Sequence, residues 1–283
     1  ETVQRPYYLL ALSPTATAFN EPLAPAGTWK LVCRYKGKGP LSLILQIQRD
    51  DSLIGHRAKA RQSYFDNDKA YGWSEEYLDL KLAIAVVDTL DDAIALLAEK
   101  GEDASVLAGG HSLIPVMKVR LGAPEFLIDI GRLPELSYIR VEGDELAVGA
   151  ATKHRDVVDS AEVAKEVPLL GAVARTVGDP QIRARGTLGG TVAHADPAAD
   201  LPAALLALDA TVVLQGPRGK RTVPIGEFYT GVFTTVREPD ELIVEIRIPR
   251  CGDKGWAYEK FTRRSNDWAI VAVAVSDDRI GLV

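Results

Sequence analysis

The sequence has few of the residues that hold metal centres. Its 283 residues include two cysteines, Cys33 and Cys251, and four histidines. The cysteines lie far apart and form no CxxC motif, and two thiolates are too few for a four-thiolate iron–sulfur cluster. The histidines show no metal-ligand spacing; they are His56, His111, His154 and His194. We therefore expect any metal centre that serves this chain to lie on another chain.

The cysteines also bear on the cellular compartment. Two interpretations stay open: a disulfide between Cys33 and Cys251, or two free, buried thiols in a reducing compartment. The wide separation and the absence of further cysteines favour free thiols. We therefore expect a cytoplasmic protein.

Long apolar runs and an excess of positive charge are absent as well. No apolar stretch reaches the roughly 18 to 20 residues that span a bilayer, and the first residues lack the basic and apolar regions of a signal peptide. The net charge is −6, from 33 basic and 39 acidic residues. This balance gives no reason to expect nucleic acid or an anionic membrane as a partner.

The composition changes near residue 80. Ten of the 19 aromatic residues lie in the first 80 positions, while the acidic excess lies in the remainder. The segments "TWKLVCRY" and "LSLILQIQ" flank the turn cluster "KGKGP" and predict a hairpin. We predict a β-rich N-terminal module of unknown role over residues 1–80 and a second domain over residues 81–283.

The second domain mixes helix and strand signals. "TLDDAIALLAEKG" predicts a helix that Thr89 caps and Gly101 ends. "LSYIRVEGDELAVGA" and "TVVLQGPRGKRTVPI" predict hairpins, and "WAIVAVAV" predicts a last buried strand. We expect an α+β fold of two packed subdomains rather than a regular βαβ repeat.

Two segments of this domain contain adjacent glycines. "VLAGGHSLIP" follows a strand signal, and "RGTLGGTVAHADPAADLP" precedes a helix signal. Glycine leaves backbone N–H groups uncovered, and several that point the same way bind an anion. With a further donor from Ser112 and from Thr187, the two loops could hold the two phosphates of a dinucleotide.

Each glycine pair alone is also compatible with a plain turn. Neither segment contains GxxxxGK[ST] or a GxGxxG after a strand. "GPRGKR" lies between two strand signals and is typical of an exposed hairpin turn. The residues by themselves therefore indicate a dinucleotide site without identifying it.

Longer segments around these loops resemble a known family. "VLAGGHSLIPVMKVRLGAPEFLIDI" and "GDPQIRARGTLGGTVAHADPAADLPAALLALDA" closely resemble the FAD-binding medium subunit of molybdenum hydroxylases. "FYTGVFTTVREPDELIVEIRIP" and "GWAYEKFTRRSNDWAIVAVAV" continue the resemblance in the same order. The resemblance runs from about Thr89 to the C-terminus. The family includes the carbon monoxide dehydrogenase medium subunit and the xanthine dehydrogenase flavin domain.

The resemblance implies a two-subdomain FAD-binding domain of the molybdopterin-dehydrogenase (PCMH) type, with FAD as cofactor. It implies two pyrophosphate loops, a carboxylate at Asp200 that hydrogen-bonds polar parts of FAD, and Lys260 near the flavin. Without the family, Asp200 would be a first-turn helix acid and Lys260 a solvated strand lysine. The loop residues that match are Ala108, Gly109, Gly110, His111, Ser112, Leu113, Thr187, Leu188, Gly189, Gly190 and Thr191.

The implied activity is electron transfer within an oxidoreductase. In the family, electrons reach FAD from a large molybdopterin-binding subunit through a small iron–sulfur subunit, and then pass to NAD, a quinone or oxygen. The resemblance implies no catalytic acid or base and no metal ligand on this chain. Two alternatives stay open: a non-catalytic binding protein with a vestigial flavin domain, and a stand-alone flavin oxidase.

His111 lies where a covalent link to FAD is conceivable. Some flavoproteins of the wider superfamily attach FAD covalently through a histidine in a similar loop, but we expect His111 to have a non-covalent role.

Both ends of the chain differ from the family. Residues 1–80 do not match the family and are faintly similar to the tail of bacterial subtilisin-like proteases, without that family's catalytic motif. The family normally continues into a further C-terminal domain, which we expect to be missing after "SDDRIGLV".

Overall fold

The first α-helix in the described part of the chain shows how local sequence sets the element boundaries. In α1 (Leu90–Lys100), the Thr89 side chain accepts a hydrogen bond from the N–H of Asp92, and Gly101 ends the helix with φ +54°. Ile94 and Leu97 are buried on one face of α1. The predicted cap, apolar face and glycine stop are therefore confirmed.

The structure is a computed structural model, and it describes residues 7–9, 19–23, 29–35, 43–49, 52–55, 83–119, 121–264, 266–277 and 279–282. The chain divides into two compact units. One unit comprises Glu1–Val86, Asp103–Ser105 and Val116–Ile128; the other comprises Val87–Glu102, Val106–Pro115 and Asp129–Val283.

Short strands make up the described backbone of residues 1–86. They are β1 (Tyr7–Leu9), β2 (Phe19–Leu23), β3 (Trp29–Tyr35), β4 (Leu43–Arg49), β5 (Ser52–Gly55) and β6 (Ala83–Val86). Strands β1 and β2 pair with each other, and β3, β4 and β5 form a three-stranded sheet. The antiparallel pairing of β3 with β4 confirms the hairpin predicted around "KGKGP". Cys33 lies on β3, and its side chain is outside what the structure describes.

Helices and strands alternate after β6. The remaining strands are β7 (Ala104–Leu107), β8 (Phe126–Asp129), β9 (Ile139–Glu142), β10 (Glu145–Gly149), β11 (Thr211–Gly216), β12 (Gly219–Pro224), β13 (Tyr229–Gly231), β14 (Thr234–Thr235), β15 (Leu242–Pro249), β16 (Trp256–Phe261), β17 (Val271–Ser276) and β18 (Arg279–Leu282). The remaining helices are α2 (Leu113–Lys118), α3 (His154–Asp159), α4 (Ala161–Glu166), α5 (Pro168–Thr176), α6 (Pro180–Arg183), α7 (Leu188–His194), α8 (Asp200–Ala207) and α9 (Ile225–Phe228).

A five-stranded antiparallel sheet, in the order β12-β11-β15-β10-β9, carries the core of the larger unit. Both hairpins predicted from sequence, β9–β10 and β11–β12, are present in it. Helices α5, α7 and α8 contribute buried leucines and valines to the same apolar cluster. In β15 the core-facing residues are Ile243, Ile246 and Ile248, and the break in alternation coincides with a register shift opposite Val213 and Leu214. An irregularity of this kind moves side chains to the other face of a strand.

The opposite face of this sheet carries charges. Arg247 donates from Nε to Glu245 at 2.6 Å and from Nη2 to Glu142 at 3.1 Å. The Tyr138 hydroxyl donates to Glu245 at 2.5 Å, and burial together with this bond raises the pKa of Tyr138. Arg140 of β9 lies 3.5 Å from the Glu245 carboxylate. The partners of the buried Glu245 carboxylate thus come from β9, β15 and the segment before β9.

A second sheet, in the order β16-β17-β18, packs one face against α8. A Cβ atom on Gly281 of β18 would collide with the backbone carbonyl of Ala203, so this approach requires glycine. The other face is exposed at Phe261, Val271 and Leu282. The strand predicted in "WAIVAVAV" is therefore confirmed as β17, which begins at Val271. The prediction that it is the last strand and buried is wrong, because β18 follows it and only one face is covered.

Candidate functional site

The first glycine loop connects β7 to α2 and is shaped by Gly110. This residue has φ +76°, a conformation that side-chain-bearing residues rarely adopt. Its carbonyl accepts a hydrogen bond from the N–H of Ile114 at 3.1 Å, and the N–H of Ile130 bonds the carbonyl of Leu107 at 2.9 Å. A Cβ on Gly110 would lie 2.7 Å from Cδ1 of Ile114. The turn therefore closes tightly onto the start of α2.

Backbone contact joins the first loop to the second. A Cβ on Gly109 would collide with the carbonyl oxygen of Arg185 and would lie 2.9 Å from Cα of Gly186. On the other side of the first loop, a Cβ on Gly131 would lie 2.8 Å from the carbonyl oxygen of Ala108. The structure thus brings together the two glycine segments that the sequence singled out, and small residues make this possible.

The second glycine pair lies inside a helix rather than in a loop before one. Helix α7 begins at Leu188, so Gly189 and Gly190 form its first turn, and Thr187 is its N-cap residue. The Thr187 hydroxyl accepts a hydrogen bond from the N–H of Gly190 at 3.1 Å. A Cβ on Gly189 would lie 2.5 Å from Cβ of Ala150. Gly189 therefore serves the close packing of α7 on the end of β10.

The N–H groups of this second segment are already paired within the chain. Leu188 donates to the carbonyl of Thr152 at 2.9 Å, Gly189 to that of Ala150 at 2.9 Å, and Thr191 to that of Thr187 at 3.0 Å. The expectation of uncovered N–H groups is therefore wrong for residues 188–191. The carbonyls that accept from Leu188 and Gly189 follow β10 and lie far away in sequence, where no local pattern reveals them, whereas Gly190 and Thr191 bond the nearby N-cap residue Thr187.

The first loop differs in this respect. Within the described part of the chain, no partner is present for the backbone N–H groups of residues 109–113. Adjacent N–H groups of this kind are the donors that bind phosphate oxygens in proteins. Of the two segments, the first therefore offers backbone donors, and the second offers a rigid support with the hydroxyls of Thr187 and Thr191.

A buried histidine that the sequence analysis did not select lies beneath the second segment. His154, 3% exposed, donates its backbone N–H to the carbonyl of Gly186 at 2.9 Å. Its Nε2 lies 3.1 Å from Oγ1 of Thr191. Burial, with smaller effects from His111 and Arg183, lowers the pKa of His154 to about 4. The imidazole is therefore neutral at pH 7. Its position at the start of α3 gave no sequence signal for this contact.

His111 is an exposed residue of the first loop. Partial burial of the ring lowers the pKa of His111 from the ordinary value of 6.5. The nearby charge of Arg185 lowers this pKa further, and Asp179 raises it. His111 is thus mainly neutral at pH 7, beside a cationic guanidinium. Arg185 thus provides a positive charge near the first loop.

Asp200 and Lys260 form a buried ion pair. Lys260 Nζ lies 2.8 Å from Oδ2 of Asp200, with the two side chains 10% and 9% exposed. The hydroxyl of Tyr258 donates to Oδ1 of the same carboxylate at 2.8 Å. Residues 258 and 260 share one face of β16 because side chains alternate along a strand. The structure thus joins two residues predicted for the site and adds Tyr258, which the i, i+2 spacing could have indicated.

The described part of the chain contains no group of three or more His, Cys, Asp or Glu side chains that could hold a metal ion. None of the helices in the described ranges combines the length and the apolar character that crossing a bilayer requires. Cys251 is a free and buried thiol, and burial raises its pKa.

Comparison with known sequences places these features in a family. Residues 80–251 match the family model described as FAD binding domain in molybdopterin dehydrogenase. The carbon monoxide dehydrogenase medium chain of Hydrogenophaga pseudoflava is 48% identical over 188 residues, which is 66% of this chain and 66% of that protein. The 6-hydroxypseudooxynicotine dehydrogenase complex subunit alpha of Paenarthrobacter nicotinovorans is 42% identical over 190 residues, 67% of this chain and 64% of that protein. The chain thus spans about two thirds of the length of these relatives.

Solved structures of similar proteins align with this chain. A carbon monoxide dehydrogenase from Hydrogenophaga pseudoflava aligns with a TM-score of 0.67 at 47% identity, over 68% of each chain. Quinoline 2-oxidoreductase from Pseudomonas putida 86 aligns with a TM-score of 0.67 at 34% identity, over 69% of this chain and 68% of that one. The predicted fold class, the family resemblance and FAD as cofactor are therefore confirmed. The chain belongs to the family of FAD-binding domains in molybdopterin dehydrogenases.

Proposed function

We propose that the chain is the FAD-binding electron-transfer component of a molybdenum hydroxylase. The observation that carries this proposal is the backbone contact between the two glycine segments at Gly109 and Arg185. It creates one site from a loop with uncommitted N–H groups and a rigid support with hydroxyls. Family membership supports FAD as the ligand of this site.

The described residues fit a pyrophosphate. We assign the N–H groups of residues 109–113 and the Ser112 hydroxyl to the phosphate oxygens, because these donors have no partner in the described structure. From the second segment we assign the hydroxyls of Thr187 and Thr191. The backbone of residues 188–191 then has a supporting role, since its N–H groups are already bonded.

The pair of Asp200 and Lys260 is assigned to polar groups of the cofactor away from the phosphates. Each oxygen of the Asp200 carboxylate accepts one hydrogen bond in the structure and keeps capacity for another. The pairing also holds the Lys260 side chain in place beside Asp200. FAD supplies the redox chemistry when bound, and the chain supplies position and electrostatics. No side chain is assigned as a catalytic acid or base.

Partners follow from the same proposal. Relatives carry names such as medium chain and subunit of a dehydrogenase complex. We infer that a small iron–sulfur subunit delivers electrons and that a large molybdopterin-binding subunit oxidises the substrate. NAD, a quinone or oxygen would accept the electrons. We also infer that neither nucleic acid nor a membrane is a partner, which the net charge of −6 supports. We infer a cytoplasmic location from the free-thiol interpretation of the two cysteines.

The test is binding and reduction of FAD by the purified full chain. A titration followed by flavin fluorescence should give saturable binding of FAD, much weaker binding of riboflavin, and competition by ADP, because the proposed site holds the pyrophosphate. Bound FAD should then be reduced by a chemical electron donor. A chain that binds no flavin would support the vestigial binding protein instead. Bleaching by an organic substrate without partner subunits would support a stand-alone oxidase.

A further inference from the structure

The buried imidazole of His154 has one partner and one orphaned nitrogen. Nε2 lies 3.1 Å from Oγ1 of Thr191. Nδ1 is buried and has no hydrogen-bond partner in the described part of the chain. Gly186 packs against the other side of the ring, because a Cβ on Gly186 would lie 2.9 Å from Cδ2 of His154. The buried ring is therefore enclosed at Cδ2 as well as at Nε2.

This arrangement determines which nitrogen carries the proton of the neutral ring. A neutral imidazole has one N–H donor and one acceptor nitrogen. A buried N–H without an acceptor is rarer in proteins than a buried acceptor without a donor. The proton therefore belongs on Nε2, where Thr191 accepts it, and the bare lone pair belongs on Nδ1.

A proton on Nε2 of His154 also determines where the Thr191 hydroxyl can donate. A threonine hydroxyl has one O–H donor and two acceptor lone pairs. If His154 donates to Oγ1, the hydroxyl cannot direct its own hydrogen at His154, so that hydrogen remains available for another acceptor. Thr191 is half-buried and lies in the first turns of α7, where the proposed function assigns its hydroxyl to the cofactor.

We propose that His154 is a positioning residue, which donates from Nε2 to Thr191 and thereby directs the Thr191 hydroxyl hydrogen to a phosphate oxygen of FAD. The proposal rests on the proposed function for its ligand. The His154 tautomer itself does not depend on the ligand. Hydrogen bonds to charged groups contribute more than neutral ones, so a donor held in the correct direction has a measurable effect on affinity.

The first experiment measures the tautomer. Nitrogen-15 NMR of the full chain with labelled histidine, at pH 7 and without FAD, distinguishes a protonated Nε2 from a protonated Nδ1. The H154Q variant identifies the signal by its loss. We expect a neutral ring protonated at Nε2. A neutral ring protonated at Nδ1, or a charged ring, would overturn the proposal whether or not the chain binds FAD.

The second experiment measures FAD affinity in matched variants. Thr191→Val removes the hydroxyl at similar size, and His154→Phe removes the donor while keeping a planar ring. Each should weaken FAD binding about tenfold, as expected for one hydrogen bond to a charged group. His154→Gln places an N–H near the position of Nε2 and should restore most of the affinity. Thermal unfolding of each variant shows whether it is folded.

The double variant separates positioning from a merely structural role. In the Thr191→Val background, His154→Phe should cause no further loss, because the hydroxyl that it directs is gone. An equal loss in both backgrounds, or no rescue by His154→Gln, would contradict the positioning role. The unmodified chain could show the expected tautomer and yet bind no FAD. In that case the proposed function fails, and the proposed hydrogen bond from Thr191 to FAD fails with it.

Discussion

Gly109 and Arg185 are in backbone contact: a Cβ atom on Gly109 would meet the carbonyl oxygen of Arg185 and lie 3.0 Å from its carbonyl carbon. The two residues belong to segments far apart in the chain. Their contact sets the spacing between the loop that offers N–H donors and the helix that supports Thr187 and Thr191. A substitution at this point should therefore alter the site without removing any predicted ligand-binding side chain.

Gly109→Ala is the direct test of this contact. The added methyl collides with backbone, which cannot rotate away as a side chain can, so we expect a loss of about 1–3 kcal/mol in the free energy of unfolding and a clear loss of FAD affinity. Gly255→Ala is the matched control, because no atom lies within 4 Å of its Cβ position. Denaturant unfolding and flavin titration check both. Unchanged behaviour of Gly109→Ala would contradict the observed contact.

The Asp200–Lys260 pair predicts a non-additive pair of substitutions. Asp200→Asn and Lys260→Met each leave a nearly buried charge without its partner, at a cost of about 3 kcal/mol of stability. The double variant leaves neither charge and should lose clearly less than the sum. Denaturant unfolding of the three variants measures the coupling. Additive losses would mean that the two side chains do not interact in solution.

His154 predicts a dependence of stability on pH. Its pKa is about 4 in the folded chain against an ordinary 6.5, so between these values the unfolded chain binds a proton that the folded chain does not. Above pH 6.5 this difference has no effect on the free energy of unfolding. As the pH is lowered from 6.5 to 4, the free energy of unfolding falls by about 3 kcal/mol in total. His154→Gln should show a shallower fall over this range. Identical slopes for the two proteins would contradict the low pKa.

His111 predicts non-covalent FAD. The residue is exposed and lies in the first loop, and we expect its role to be non-covalent. Acid precipitation of flavin-loaded protein should therefore release all the FAD to the supernatant, and His111→Gln should keep FAD bound. Yellow colour that stays in the pellet of the unmodified protein, and is lost in His111→Gln, would show a covalent link instead.

The elements that were predictable from the sequence are those with local signals. Thr89 and Gly101 delimit α1 because caps act over a single turn, and Gly143 lies between two alternating strands that pair as predicted. Apolar pattern alone did not show that one face of β17 is exposed. Whether a strand is covered on both faces depends on distant elements such as α8.

The site shows the same limit. Ala108, Gly109 and Thr187 were identified by motif, but the N–H groups of Leu188 and Gly189 bond carbonyls of Thr152 and Ala150 that lie far away in sequence. His154 was missed for the same reason, since its contact with Thr191 exists only in the folded chain. The motif indicated where the site lies, and tertiary contacts decide which atoms are available.

The most direct measurement for the whole account is a fluorescence titration of the purified full chain with FAD, with riboflavin and ADP as comparison ligands. The account predicts saturable binding of one FAD per chain, weak binding of riboflavin, and displacement of FAD by ADP. Binding of riboflavin as tight as that of FAD, or no binding of FAD at all, would contradict a pyrophosphate site built from the two glycine segments.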